Sequence, residues 1–200
     1  MLIAGLTGGL ASGKSFVAAA FADLGCHIVE ADALGHEATA PRGTAYAAVV
    51  AEFGPEILAE TGAIDRSRLA SIVFADPVAL GRLNAIVHPA VRVLAARRFR
   101  EIGAVDPHAL GIYAAAILVE TGSYRELDKL IVVACTREQQ MERALARPNA
   151  TLRDIAARLE RQMPLEEKKR VADYIIDTGG TKEETLRQTK MVFNDLRRFA

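Results

Sequence analysis

The chain has 200 residues, half of them hydrophobic, and 25 Lys and Arg offset 25 Asp and Glu to a formal net charge of zero. That length can bury a full core without disulfide or metal staples and suits one α/β domain carrying an insertion. The balanced charge excludes a bulk positive field for nucleic acid or an anionic membrane, so an anionic ligand must be met by a local arrangement of groups.

In chain order, Leu2 to Leu6 is an apolar run ending in glycines, the pattern of a short buried parallel strand. Ser15 to Leu24 is Ala-rich with helical spacing and is stopped by Gly25. His27 to Glu30 reads as a second strand, and the two would form the smallest connected parallel unit. Helical stretches then run from Asp32 to Pro107, with no convincing strand among them. Further strands are expected at Ala109 to Val119, Lys129 to Cys135 and Tyr174 to Ile176. Residues 137–170 are highly charged and hold seven arginines. The closing helix starts at Thr181, with Glu184 three residues on as a capping box. Five strands separated by helices predict an α/β fold with a five-stranded parallel sheet. The expected division is a core of residues 1–32, 107–136 and 171–200, a helical substrate-binding insertion at 33–106, and a lid at 137–170.

Cys26 and Cys135, the two cysteines, lie in or beside apolar runs. They are expected to be inert buried thiols of a reducing compartment rather than a disulfide. The opening MLIAGLTGG lacks a basic leader region, and no later stretch approaches about 18 uninterrupted apolar residues. The expectation is a cytoplasmic protein without a membrane or nucleic-acid partner.

The most specific signal is G-x-x-x-x-G-K-S at Gly8 to Ser15, between a predicted strand and a predicted helix, the setting that makes this string a phosphate loop. Backbone N–H groups of Gly8, Gly9, Leu10, Ala11, Ser12 and Gly13 would wrap a polyphosphate, with glycine where a Cβ would collide or φ must be positive. Lys14 would reach the outer phosphates, Ser15 would bind Mg²⁺, and the helix opening at Lys14, Ser15 and Phe16 would favour the anion. The expected cofactors are therefore ATP and Mg²⁺. A switch GTPase would also need an Asn-Lys-x-Asp base reader, which is absent. Asp177 to Gly180 spells Asp-x-x-G but lies beyond the last strand and is read as an exit turn. No His, Cys or carboxylate cluster has metal-ligand spacing.

Asp32 follows the second strand at the carboxyl edge of the sheet, expected beside the strand that bears the loop, where such folds bind ligands. It would accept a hydroxyl proton or hold the metal, or else it caps the helix that follows. These alternatives stay open on the residues alone.

The motifs LTGGLASGKS, EADALGHE, VHP at Val87 to Pro89, ILVE at Ile117 to Glu120, RLERQ and VADYIID together resemble the dephospho-CoA kinase family, in order, over nearly the whole chain. The resemblance implies a P-loop fold with a CoA-binding helical domain and a lid. It implies transfer of the ATP γ-phosphate to the ribose 3′-hydroxyl of dephospho-CoA, the last step of coenzyme A synthesis. Carried over by motif, Asp32 is the base, and Thr7 and Lys14 belong to the phosphate site. Arg143 and Arg147 are lid arginines, with Arg143 catalytic and Arg147 on the nucleotide. Arg158 and Gln162 match an Arg-x-x-x-Gln substrate motif, and His88 marks the CoA domain. Three positions depart from the family pattern: Glu30 for an Asp, Ala116 for a proline that would shape the local strand, and Phe16 for a Thr. The alternatives are another nucleoside or nucleoside-monophosphate kinase, or a nucleotide-dependent switch. A monomer or weak homo-oligomer is expected.

Overall fold

The structure, a computed structural model, describes residues 1–200 except 149, 153, 154, 157, 158, 160 and 161. It divides into two compact units: Met1–Val29 with Glu101–Ala200, and Glu30–Arg100.

The first unit holds β1 (Leu2–Gly8), α1 (Lys14–Asp23) and β2 (His27–Glu30), whose last residue opens the second unit. The chain returns to it with β3 (Leu110–Ala114) and β4 (Lys129–Ala134). The sheet order is β2-β3-β1-β4-β5, where β5 spans Tyr174–Asp177. β1 pairs in parallel with β3 and with β4, and β4 with β5. β3 therefore lies between β1 and β2, contrary to the expectation that the second strand sits beside the loop-bearing one. Burial explains the order: all five residues of β3 are buried, as an inner strand requires, whereas His27 and Glu30 of β2 are exposed, as an edge tolerates. The third strand also stops at Ala114, because the predicted extension coils into a turn closed by the Thr121 N–H on the Ile117 carbonyl at 3.1 Å.

One face of the sheet is covered by α1 and by α8 (Lys182–Leu196), which pack together. Their buried residues Val17, Ala18, Phe21, Val192 and Leu196 join Leu6, Ile112, Ile131 and Ile176 in one core. Phe21 is wholly buried, which contributes about 1.5–3 kcal/mol. The expected capping box of α8 is present: the Glu184 N–H donates to the Thr181 hydroxyl at 3.1 Å, and the Thr181 N–H to Glu184 Oε2 at 2.9 Å. A second box, unforeseen, opens α6 (Arg137–Leu145) through Thr136 and Gln139. The short α7 (Leu165–Arg170) precedes β5.

The second unit is helical: α2 (Ala31–Thr39), α3 (Tyr46–Phe53), α4 (Arg66–Ala75) and most of α5 (Pro77–Val105). Val49 and Ile57 are wholly buried within it, and Asp65 caps α4 by accepting from the N–H groups of Ser67 and Arg68 at 2.9 and 3.1 Å. α5 is the helix long and apolar enough, by length and composition, to cross a bilayer among the described residues. Arg82 and Arg92 interrupt its apolar run.

Candidate active site

β1 delivers the chain to the loop Gly8–Gly13 at the carboxyl edge of the sheet. Gly13 has φ +89° and serves as the N-cap of α1, with no side chain bonded to the helix's first N–H groups. Those donors and the aligned peptide dipoles favour an anion. Gly8 is required by space: a Cβ there would lie 2.5 Å from Ser12 Oγ and 2.7 Å from the Val133 carbonyl. At Gly9 a Cβ would lie 2.1 Å from Gln140 Nε2. Ala11 also takes the left-handed region, at φ +54°, a conformation that costs an L-residue about 1–2 kcal/mol.

The polar groups of the loop fit a polyphosphate, although the Leu10 and Ser12 N–H groups expected to wrap it are already taken, by Gln162 Oε1 and by the Gly9 carbonyl. Ser12 is 1% exposed and its Oγ has no partner among the described residues, so the loop carries an unsatisfied buried hydroxyl. Lys14 is half-buried, Ser15 is exposed, and neither side chain has a hydrogen-bond or ion-pair partner among the described residues. Phe16 is 36% exposed and contributes no polar atom. Thr7 is wholly buried, and its hydroxyl donates to the Ala116 carbonyl at 3.0 Å, so it braces the loop from beneath. Ala116 lies outside β3, and what the site takes from it is its carbonyl, which the proline typical there would also offer.

The turn after β5 supports the loop from the other side. Thr178 Oγ1 lies 2.7 Å from the Ser12 carbonyl and 3.1 Å from that of Ala134. Arg143, on α6, donates to Thr178 Oγ1 at 3.2 Å and to the Thr178 carbonyl at 2.7 Å. Asp177 to Gly180 is the expected exit turn, closed by the Gly179 N–H on Asp177 Oδ1 at 2.7 Å, and it buttresses the loop as well. Arg147 is exposed beyond α6. Gln162 accepts the Leu10 N–H at 2.8 Å. A cavity of about 700 Å³ opens here, lined among others by Gly9, Cys135, Gln140, Gln162, Met163 and Lys169. Burial pushes the Cys135 thiol up despite the nearby Arg143, and pushes Cys26 up to about 11. Both cysteines are free and buried, as expected of inert thiols.

The structure thus gathers Thr7, the loop residues, Lys14, Ser15, Arg143 and Gln162 in the first unit. Asp32 and His88 belong to the second, and Arg158 lies outside the described residues. Asp32 is exposed in the first turn of α2, whose N-cap is Glu30 without a side-chain cap bond. The capping role open to Asp32 is therefore not the one it fills. His88 is half-buried in α5, next to Pro89, and burial first and Arg92 second lower its pKa from the usual 6.5.

Sequence reasoning missed three supports of this site. Gln140 and Thr178 carry no motif for phosphate binding. Lys168 hides in a charged run, yet it is wholly buried, with Nζ 2.7 Å from Glu120 Oε1 and 2.8 Å from the Ala116 carbonyl.

A phosphate loop between the first strand and first helix of a parallel sheet in this order places the protein among the P-loop α/β phosphotransferases. The model of the dephospho-CoA kinase family matches residues 2–184. A curated dephospho-CoA kinase of Geobacter sulfurreducens is 42% identical over 193 residues, covering 96% of this chain and 98% of its own. The crystal structure of TT1252 from Thermus thermophilus superposes with a TM-score of 0.84 at 33% identity, covering 98% of this chain and 97% of that one. A dephospho-CoA kinase from Campylobacter jejuni shares the fold, with a TM-score of 0.73 at 24% identity and coverage of 98% and 97%. The chain belongs to the dephospho-CoA kinase family.

Proposed function

We infer that this enzyme transfers the γ-phosphate of ATP to the ribose 3′-hydroxyl of dephospho-CoA, completing coenzyme A. The observation that carries the reading is the phosphate loop, with its unsatisfied Ser12 hydroxyl and unengaged Lys14, in a chain that matches the family along almost its whole length.

In the step, the bond from the γ-phosphorus to the ADP oxygen breaks and a bond to the ribose 3′-oxygen forms, while the hydroxyl proton passes to Asp32. The transition state is loose, so the protein's work is positioning and charge stabilisation. Lys14 and the N–H groups at the start of α1 neutralise the phosphates. Arg147 is exposed, and Arg143 spends only two of its five N–H donors on Thr178, so both arginines have donors to offer the transferring group. Ser15 would hold Mg²⁺ brought in with ATP, because its hydroxyl is exposed and unengaged, and the ion would supply charge neutralisation at the phosphates. No cluster of three His, Cys, Asp or Glu side chains offers a resident metal site among the described residues.

Residues 33–106 would receive the CoA portion, with His88 in that part of the chain, and 137–170 would close over the nucleotide. Closure keeps water from competing with the acceptor. Arg158 belongs to the same assignment. The protein is proposed to work in the cytoplasm as a monomer or weak homo-oligomer.

The test is an ADP-coupled assay with dephospho-CoA, adenosine, AMP, CMP and pantothenate as acceptors. Turnover with dephospho-CoA is expected. Turnover confined to AMP would make the enzyme a nucleoside-monophosphate kinase, and phosphate release without any acceptor would make it a nucleotide switch.

A further inference from the structure

The geometry points to Gln140 and Gln162 as positioning residues that grip the backbone on either side of Leu10 and hold the phosphate loop in its receiving shape. This rests on the reading of Gly8–Ser15 as the nucleotide site, and assigns that site a control nothing in its motif encodes.

Gln140 Nε2 donates to the Leu10 carbonyl at 2.9 Å, and Gln162 Oε1 accepts the Leu10 N–H at 2.8 Å. Leu10 stands near the middle of a loop whose own backbone closes across it with the Ser12 N–H on the Gly9 carbonyl at 3.2 Å. Both backbone polar groups of Leu10, one in each flanking peptide unit, are thus satisfied by side chains more than a hundred residues away in sequence. A loop left to itself would sample many conformations, and fixing each residue costs about 1–2 kcal/mol. Fixing it in advance removes that cost from nucleotide binding.

The two glutamines come from the two ends of the segment expected to act as a lid. Gln140 is 6% exposed on α6, a helix anchored by its capping box, by Gln139 Nε2 on the Gly179 carbonyl at 2.8 Å, and by Arg143 on Thr178. Gln162 stands where the chain returns, one residue before Met163, whose N–H donates to Glu120 Oε1 at 3.4 Å. The loop follows β1 and α6 follows β4. These neighbouring strands send the chain in opposite directions, β1 toward β2 and β4 toward β5. The Gln140 bond spans that topological switch point, where such sheets bind their ligands.

Gly9 fits the same arrangement. Its φ is not among the positive values in the chain, so no backbone conformation demands glycine there. A Cβ there would lie 2.1 Å from Gln140 Nε2, so a larger residue would push that side-chain end off the Leu10 carbonyl. Gly9, a variable position of the motif, thus leaves room for the clamp. The clamp also has a polarity: Gln140 must donate to a carbonyl, whereas Gln162 must accept from an N–H.

The test uses the full chain with Gln140→Met, Gln162→Met and their double variant. It reads binding of a fluorescent ATP analogue with Mg²⁺, melting temperature, and kcat and KM for both substrates. A neutral hydrogen bond is worth about 0.5–1.5 kcal/mol, so each single change should weaken nucleotide binding about two- to ten-fold. The double variant should fall short of the product of the two, since both bonds hold the backbone of one residue. KM for dephospho-CoA should stay unchanged in Gln140→Met. Gln162→Glu, which still accepts, should bind nucleotide better than Gln140→Glu, which cannot donate, although both add the same charge. Nucleotide affinity within about two-fold of wild type in both Met variants would overturn the clamp. So would a loss confined to the KM of dephospho-CoA, or a lowered melting temperature with unaltered affinity. Nucleotide binding is read without acceptor, so a wild-type protein that binds ATP but leaves dephospho-CoA untouched would refute the activity and not the clamp.

Discussion

Lys168, with no exposed side-chain surface, holds Glu120 at 2.7 Å and shares the Ala116 carbonyl with the hydroxyl of Thr7. The pair thereby joins α7 to the turn after β3 and, through one carbonyl, to the residue before the phosphate loop. Glu120 Oε2 is buried without a partner among the described residues, so the carboxylate depends on this one cation.

Removing one partner of a buried ion pair strands the other charge and typically costs about 3–5 kcal/mol. The Glu120 side chain is 20% exposed, so Lys168→Met is expected to lower unfolding stability by less than that, about 1–3 kcal/mol, in urea titrations. Lys168→Met combined with Glu120→Leu should recover much of the loss, because no charge remains buried alone. A single-variant cost below about 1 kcal/mol would show that water already reaches the pair.

What the sequence made legible follows from range. The motif Gly8 to Ser15 is local, and strand and helix patterns are local, so the loop, five strands and the Thr181–Glu184 box could be read directly. The place of β3 between β1 and β2 depends on which strand buries both faces, which a four-residue run such as His27–Glu30 does not announce. Lys168 is one of three consecutive basic residues, and only packing separates it from Lys169, which ion-pairs in the open with Glu166 at 2.7 Å. Gln140 and Leu10 meet across 130 residues, and neither side chain has an identity that predicts the other.

Arg143 and Arg147 should separate by experiment. Arg143 braces Thr178, which lies 2.7 Å from the Ser12 carbonyl. Arg143→Ala is therefore expected to lower stability by about 1.5–3 kcal/mol, the range for charge-assisted hydrogen bonds, together with kcat. Arg147→Ala should leave stability within about 0.5 kcal/mol, as for an exposed residue, and lower kcat roughly ten- to a thousand-fold. Exposed Arg170 serves as the control. Equal small effects at all three positions would reduce the arginines to surface charges.

His88 provides a pH test. Burial and Arg92 lower its pKa from 6.5, so the fold favours the neutral ring and the unfolded chain takes up the proton first. The stability this provides is complete above about 6.5, the unfolded value, and is lost as the pH falls through the depressed folded value. Urea unfolding from pH 8 to 5 should show wild type losing stability faster than His88→Gln on the acid side. Parallel curves would assign the acid sensitivity to other groups.

The mechanism depends most on Asp32→Asn. Asp32 is exposed in the first turn of α2 and makes no cap bond, since Glu30 is the N-cap. Its structural contribution is then limited to the helix dipole, about 0.3–1 kcal/mol, and the amide keeps the shape. Folding and nucleotide binding should survive the change. If the carboxylate orients the ribose hydroxyl and takes its proton, its loss should cost about 100- to 10,000-fold in rate. The loss should fall on kcat rather than on KM, because the interaction strengthens as the proton leaves. Near-normal turnover in the Asn variant, measured beside an unchanged melting temperature, would remove Asp32 from the chemistry. Loss of Mg²⁺-dependent nucleotide binding would assign it to the metal instead.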